Sequence, residues 1–246
     1  ETNISYNYLK HVISALEEPV CILGGWAVFL HVNKNFQKAQ GRPYLGSRDI
    51  DLGFHLDKNQ SVEQMNNSAL AKSLDILQTK LHFRSISFRL LKEIHTETEE
   101  EIGEGKMIPT HFIFPMYVDI LVDNIPSKFR DVFHFQPADE PLLHFAFADE
   151  KHREELKAFN KKLWLPKLEL LLATKLNALK LRDKEHKKIK DICDIFALLW
   201  YSKEKPQELQ KKVLQFLSSK TVSQIISTID EVDYQKASVQ LNHTPQ

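Results

Sequence analysis

The chain has 246 residues, 42% hydrophobic and 27% charged, with 33 basic and 33 acidic side chains. That length supports one large domain or two smaller ones with real cores, and the balanced charge excludes bulk electrostatics as a guide to a partner. No apolar run approaches the ~18 residues of a membrane span, and the first residues lack secretion-signal character. Cys21 and Cys193 lie in apolar stretches without CxxC or CxxH spacing. The expectation is a cytoplasmic protein with reduced thiols and no membrane partner.

In chain order, Tyr8, Leu9, Val12, Ile13 and Leu16 recur at helical spacing, which predicts a helix over 5–18. Val20-Cys21-Ile22-Leu23 reads as a short buried strand, broken by Gly24-Gly25, and Trp26 to Leu30 opens a second helix. His31 is expected on that helix's surface. Residues 41–47 are a loop by their Gly and Pro content, and 48–54 form a second strand ending near His55. A helix is expected over 61–80, apolar at Leu70, Leu74 and Leu77, and a strand over 82–91. The acidic stretch Glu97, Glu99, Glu100, Glu101 and Glu104 reads as a solvated loop, followed by a β-rich segment from Met107 to Val122. Composition shifts after Pro126. Residues 127–150 look irregular, and from about Glu150 the pattern is helical throughout, with helices around 168–181, 189–199 and 205–231.

The most informative feature is Asp49-Ile50-Asp51-Leu52. In a strand, residues i and i+2 share a face about 6.6 Å apart, so Asp49 and Asp51 point one way while Ile50 and Leu52 fill the other. Two like charges on one face are costly unless a cation lies between them, and oxygen-only ligands suit Mg²⁺ with phosphates. A third carboxylate is Asp119, mid-strand in Tyr117-Val118-Asp119-Ile120-Leu121-Val122. Its competing reading is an ion pair with a lysine or arginine. Asp123 shares the parity but closes the strand beside Asn124, and reads as a solvated turn residue.

The order strand, Gly24-Gly25-Trp26-Ala27, helix, loop, Ser47-Arg48-Asp49-Ile50-Asp51-Leu52 resembles the DNA polymerase beta superfamily of nucleotidyltransferases, and within it the AbiEii-like toxin branch and its archaeal relatives. The resemblance covers roughly residues 18–125. It implies an α+β architecture: a nucleotidyltransferase fold, with a mixed sheet flanked by helices, in residues 1–126, and a C-terminal helical bundle in 127–246 that completes the nucleotide cleft. It further implies that Asp49, Asp51 and Asp119 hold Mg²⁺ (or Mn²⁺) and carry out catalysis. An NTP such as ATP would then give its NMP to a hydroxyl and release pyrophosphate. Gly24, Gly25 and the N–H groups after them would meet the phosphates, and Ser47 would add a hydroxyl. Trp26 has two readings, a surface on which a base stacks and, the commoner one for an aromatic at a helix start, a core residue. Arg48 points to the opposite face.

In the helical module, Lys175 followed by Lys190-Asp191-Ile192-Cys193-Asp194 is similar to the lysine and Lys-Asp-x-x-Asp stretch of AbiEii-like proteins, which implies that Lys175, Arg182, Lys190, Asp191 and Asp194 bind nucleotide. The competing reading is a solvated basic face with charges paired along the helix. The implied acceptor is an RNA 3′ end, with tRNA one candidate, a protein side chain or a small molecule, in a toxin–antitoxin or defence setting with a cognate antitoxin. The alternative is a catalytically silent nucleotide-binding or partner-binding module of the same fold.

Overall fold

The structure is a computed structural model and describes residues 2–103, 105–232 and 235; Glu104 of the acidic stretch lies outside them. It divides into two compact units, Glu1–Trp26 with Gly46–Leu165, and Ala27–Leu45 with Pro166–Gln246.

The first unit is built on a mixed sheet. Helix α1 (Thr2–Ala15) buries Leu9, Val12 and Ile13 of the expected stripe, leaves Tyr8 half-buried, and adds Ile4. Strand β1 (Val20–Ile22) is wholly buried and leads into α2 (Gly24–Gln40), whose first turn belongs to this unit and whose remainder belongs to the other. Strand β2 (Asp49–Phe54) follows. The single helix expected over 61–80 is instead α3 (Val62–Asn66), α4 (Ala69–Asp75) and a π-helical turn over Ile76–Lys80. The break has a local cause: Ser68 is extended and its hydroxyl accepts from Ala71 N–H, so it starts a new helix as an N-cap rather than continuing the old one. Leu70, Leu74 and Leu77 are buried as their spacing requires.

The strand expected over 82–91 is a hairpin of β3 (Arg84–Ile86) and β4 (Arg89–His95). Ser87 at φ +56° makes the reversal, as in two-residue turns with a positive φ at their first central position. The acidic stretch is tied down rather than fully solvated: Glu101 accepts from Lys92 Nζ at 2.7 Å, and Glu99 from Asn7 Nδ2 at 2.9 Å. Strand β5 (Ile113–Val122) alternates strictly, with Phe114, Met116, Val118, Ile120 and Val122 buried. Then come α5 (Phe129–Phe133), β6 (Ala138–Asp139), α6 (Leu143–Ala148), β7 (Arg153–Ala158) and β8 (Lys161–Pro166).

The last two correct the expectation of continuous helix from Glu150. They form a hairpin whose turn residues, Phe159 and Asn160, both have positive φ, +54° and +59°. That is the type I′ requirement, met here without the Asn-Gly or Asp-Gly pair that announces it. Strand β8 is then drawn in by burial of Leu163 and Leu165 and by parallel pairing with β1 (Val20↔Leu163, Cys21↔Trp164). The sheet order is β3-β4-β5-β2-β1-β8-β7, with β6 paired to β5. Burial of Ile50, Leu52, Val118 and Ile120 to 0% exposure contributes roughly 1.5–3 kcal/mol each.

In the second unit, α7 (Leu168–Leu179), α8 (Glu185–Tyr201), α9 (Pro206–Val213) and α10 (Ser219–Asp230) join the remainder of α2. Helix α7 is buried on nearly every side from Leu168 to Ala173, which makes it the central helix. His31 is bonded rather than merely superficial, its Nε2 lying 3.0 Å from the Pro166 carbonyl oxygen. The helix expected over 205–231 is two helices, because Ser218 caps a fresh N-terminus at Thr221 N–H. The α+β architecture, a mixed sheet flanked by helices and followed by a helical module, is the one expected. No described helix is long and apolar enough to cross a membrane.

Candidate functional site

The polar face of β2 carries Asp49 and Asp51, half-buried, between the fully buried Ile50 and Leu52. Strand β5 runs parallel beside it in the register Asp49↔Tyr117 and Asp51↔Asp119. In-register residues of neighbouring strands lie about 4.8 Å apart on the same face. Asp119 is therefore brought next to Asp51, with Asp49 one pleat away; the alternation of both segments predicts the shared face, and the register supplies the meeting.

The third strand adds a residue that sequence reasoning did not name. In the antiparallel β4–β5 pair, Arg89 stands opposite Asp119. Its Nε donates to Asp119 Oδ1 at 2.8 Å, and its Nη2 donates both to Asp119 Oδ2 and, at 3.2 Å, to Asp49 Oδ2. The guanidinium also lies 4.1 Å from the centre of the Tyr117 ring. Burial alone would lower the Arg89 pKa, but Asp119 and Asp49 outweigh it and hold the charge above its ordinary range. The ion-pair reading of Asp119 is thus realised. The carboxylates still form an all-oxygen set open to solvent, with side-chain exposures of 32% for Asp49 and 16% for Asp119. Such hard donors fit Mg²⁺ or Mn²⁺ rather than a soft cation.

The Gly-Gly turn packs directly against this set. Gly24 sits at φ +58°, and a Cβ there would fall 1.8 Å from Asp51 Oδ2. Only glycine allows that backbone conformation and that approach together. Gly25 follows in the first turn of α2, where backbone N–H groups have no intrahelical acceptor. Trp26 corrects the stacking expectation. It is 1% exposed, packs on Tyr6 with ring centroids 5.6 Å apart, and lies so close to Gly46 that a Cβ there would meet it at 2.4 Å. It is a core residue and cannot receive a base. Ser47 is buried, and Arg48 extends over the Phe114 ring at 5.4 Å.

In the second unit, the Lys175 group is a closed ion network. Lys175 Nζ donates to Asp191 Oδ1 at 3.0 Å and Asp194 Oδ2 at 2.7 Å. Arg182 Nε donates to Asp191 Oδ2 at 2.6 Å, Lys190 to Asp194 at 3.2 Å, and the Tyr44 hydroxyl to Asp194 Oδ1 at 2.9 Å. Burial would discharge Lys175, but Asp194 and Asp191 overcome it and raise its pKa. Burial would likewise protonate Asp194, yet Lys175 and Lys190 hold its pKa below the usual carboxylate range. The expectation that Lys175 neutralises phosphate is therefore corrected: its ammonium is already spent on two aspartates. Arg182 and Lys190, at 35% and 46% side-chain exposure, are the members that reach solvent. Asp123 is also corrected, since its side chain is fully buried rather than solvated.

Two outcomes follow from these geometries. Lys175→Met removes the cation shared by two buried carboxylates, leaving Asp191 to Arg182 and Asp194 to Lys190 and Tyr44, and is expected to cost about 3 kcal/mol in a urea-unfolding measurement at pH 7. A depressed Asp194 stabilises above the unfolded aspartate range near pH 4, and a raised Lys175 stabilises below about pH 10.4. The wild-type advantage should hence be flat between those limits and shrink as pH falls below the first or rises above the second. Gly24→Ala should lower the thermal midpoint, and Asp51→Ala in that background should recover part of the loss. Additive effects of the two substitutions would refute the close approach.

No protein-family model matches the chain, and no curated protein matches it. Among solved structures it is similar to an antigenic nucleotidyltransferase-like protein from Paracoccidioides brasiliensis, at 16% identity over 90% of this chain and 91% of that one, with a TM-score of 0.40.

Proposed function

We propose that the chain is a Mg²⁺-dependent nucleotidyltransferase that moves NMP from an NTP to a hydroxyl acceptor. The observation that carries this reading is the register Asp51↔Asp119 beside Asp49, with the Gly24 backbone against the Asp51 carboxylate. Asp49, Asp51 and Asp119 would hold the cation, which when bound offsets phosphate charge and makes a hydroxyl easier to deprotonate. Asp119 is the residue to take the acceptor proton. Gly25 and the following N–H groups, at the positive end of α2, receive the leaving phosphates. Arg89 screens the repulsion among the carboxylates. Within the second unit, Arg182 and Lys190 are the members of the ion network that solvent reaches, and Asp191 and Asp194 hold them in place.

The AbiEii-type pattern Gly24-Gly25-Trp26-Ala27 and Ser47-Arg48-Asp49-Ile50-Asp51-Leu52 points to an RNA or protein hydroxyl as acceptor, within a toxin–antitoxin pair. The chain incubated with each labelled NTP, Mg²⁺ and total RNA or protein should release pyrophosphate and label an acceptor. Asp51→Ala should reduce that by more than the roughly 10–100-fold that outer partners of a metal cost. Turnover unaffected by Asp51→Ala would sink the proposal.

One observation favours the second reading, a silent nucleotide-binding or partner-binding module: Arg89 already bridges Asp119 and Asp49. If Arg89 and a divalent cation do the same electrostatic work, Arg89→Met should unfold at lower temperature, and millimolar Mg²⁺ should restore more of its midpoint than it adds to the wild type. A variant indifferent to Mg²⁺, together with NTP binding but no turnover, would favour the silent module.

A further inference from the structure

The C-terminal ends of β2 and β5 bring together three side chains that the carboxylate site does not use. His55 follows β2, Asp123 follows β5, and His144 lies on α6. One potential ligand atom from each lies within 4.8 Å of the others. We propose that His55, Asp123 and His144 form a second cation site, selective for a borderline transition cation of the Zn²⁺ type.

Asp123 is the anchor. Its side chain has 0% exposure, and its Oδ1 accepts the Leu56 backbone N–H at 3.0 Å. That bond leaves Oδ2 aimed at both imidazoles, 2.6 Å from His55 Nδ1 and 3.5 Å from His144 Nδ1. A tetrahedral cation with bonds of about 2.0–2.1 Å separates its ligands by roughly 3.4 Å. The Asp123–His144 spacing already meets that value, and the His55 spacing needs to open by less than about 1 Å. On the far side of its ring, His55 Nε2 lies 3.6 Å from Asp57 Oδ1. A carboxylate behind a histidine ligand sets its tautomer and orientation. Asp57 stands on the Nε2 side of the ring, where it can accept from Nε2–H once the cation occupies Nδ1.

The donor set decides the metal. Two imidazoles and one carboxylate suit Zn²⁺ and its neighbours, whereas Mg²⁺ takes oxygen. The site is thereby chemically distinct from the all-oxygen group of Asp49, Asp51 and Asp119, and its standing does not depend on that group's role. Three protein ligands leave a fourth position. The cluster borders an open cavity of about 700 Å³ whose lining includes Lys58, Asn59, Gln60 and Gln64. Water or a polar group of a small ligand can complete the coordination from there, as in open rather than closed zinc sites. Binding breaks the His55–Asp123 hydrogen bond and places the cation between the two atoms, and the imidazole then carries its one proton at Nε2 instead of Nδ1.

The test is titration of the chelator-treated full chain with Zn²⁺ by calorimetry, repeated with Co²⁺ and read by visible absorption. One Zn²⁺ should bind per chain, with a dissociation constant of about 1 μM or tighter, and excess Mg²⁺ should not displace it. His55→Ala and His144→Ala should each weaken binding by at least about tenfold and reduce the cobalt absorption. Asp51→Ala should leave both unchanged, which separates this site from the other. The two histidines are 41% and 54% exposed, so their removal should preserve the circular dichroism spectrum. No uptake by the wild type, or undiminished Zn²⁺ binding by the folded His55→Ala/His144→Ala double variant, would overturn the assignment.

Discussion

The parallel register of β2 and β5 is the constraint on which the candidate site depends. A slip of one residue would move every side chain of a strand to the opposite face. Such a slip would drive Asp119 into the layer now filled by Val118 and Ile120, both at 0% exposure, and would drag apolar residues to the polar face. The apolar face therefore aligns the polar one. Ile50 and Leu52 on one strand, with Val118, Ile120 and Val122 on the other, hold Asp51 beside Asp119 by packing, although neither aspartate contributes to that packing.

Concentrating carboxylates this way creates an electrostatic cost that has to be met locally, and the chain meets the same cost in three ways. Arg89 covers Asp119 and Asp49 at a half-buried site that solvent still reaches. Lys175 covers Asp191 and Asp194, whose side chains are only 3% exposed. Two half-exposed imidazoles cover the fully buried Asp123. The differences in exposure separate their roles. A buried, fully paired network such as that of Lys175 returns little net stability because desolvation opposes it. Its service is to hold α7 and α8 in one arrangement. The Arg89 group keeps its carboxylates accessible, which is what exchange of a guanidinium for another cation requires.

Gly24 links backbone to chemistry within the first unit. The left-handed conformation and the absent Cβ are both needed for the start of α2 to approach the Asp51 carboxylate. The helix N-terminus there turns N–H groups that have no intrahelical acceptor, and its positive dipole end, toward negative charge. Trp26, one residue past the pair, turns the other way and is consumed by packing against Tyr6. Neighbouring positions on one turn thus divide between site and core, a division set by the direction of each side chain rather than by residue type.

What the sequence determined by itself was local: the alternation Asp49-Ile50-Asp51-Leu52, the alternation Tyr117 to Val122, the glycine pair and the apolar richness of α7. Period and composition are enough to give each of these its element and its face. Arg89 could not be found that way, because its meeting with Asp119 is a cross-strand pairing set by the antiparallel β4–β5 register, whose strands are joined through residues 96–112. The β7–β8 hairpin was hidden because its turn uses Phe159 and Asn160 at positive φ, where only the tertiary gain of seating β8 against β1 justifies the backbone cost. Asp123 read as a solvated end residue and His55 as a strand end, and the 88 residues between His55 and His144 hide their meeting from any local spacing. Local pattern specifies which way a side chain faces. Its partner is decided by long-range registration, in which the burial of apolar faces outweighs the preferences of any single polar residue.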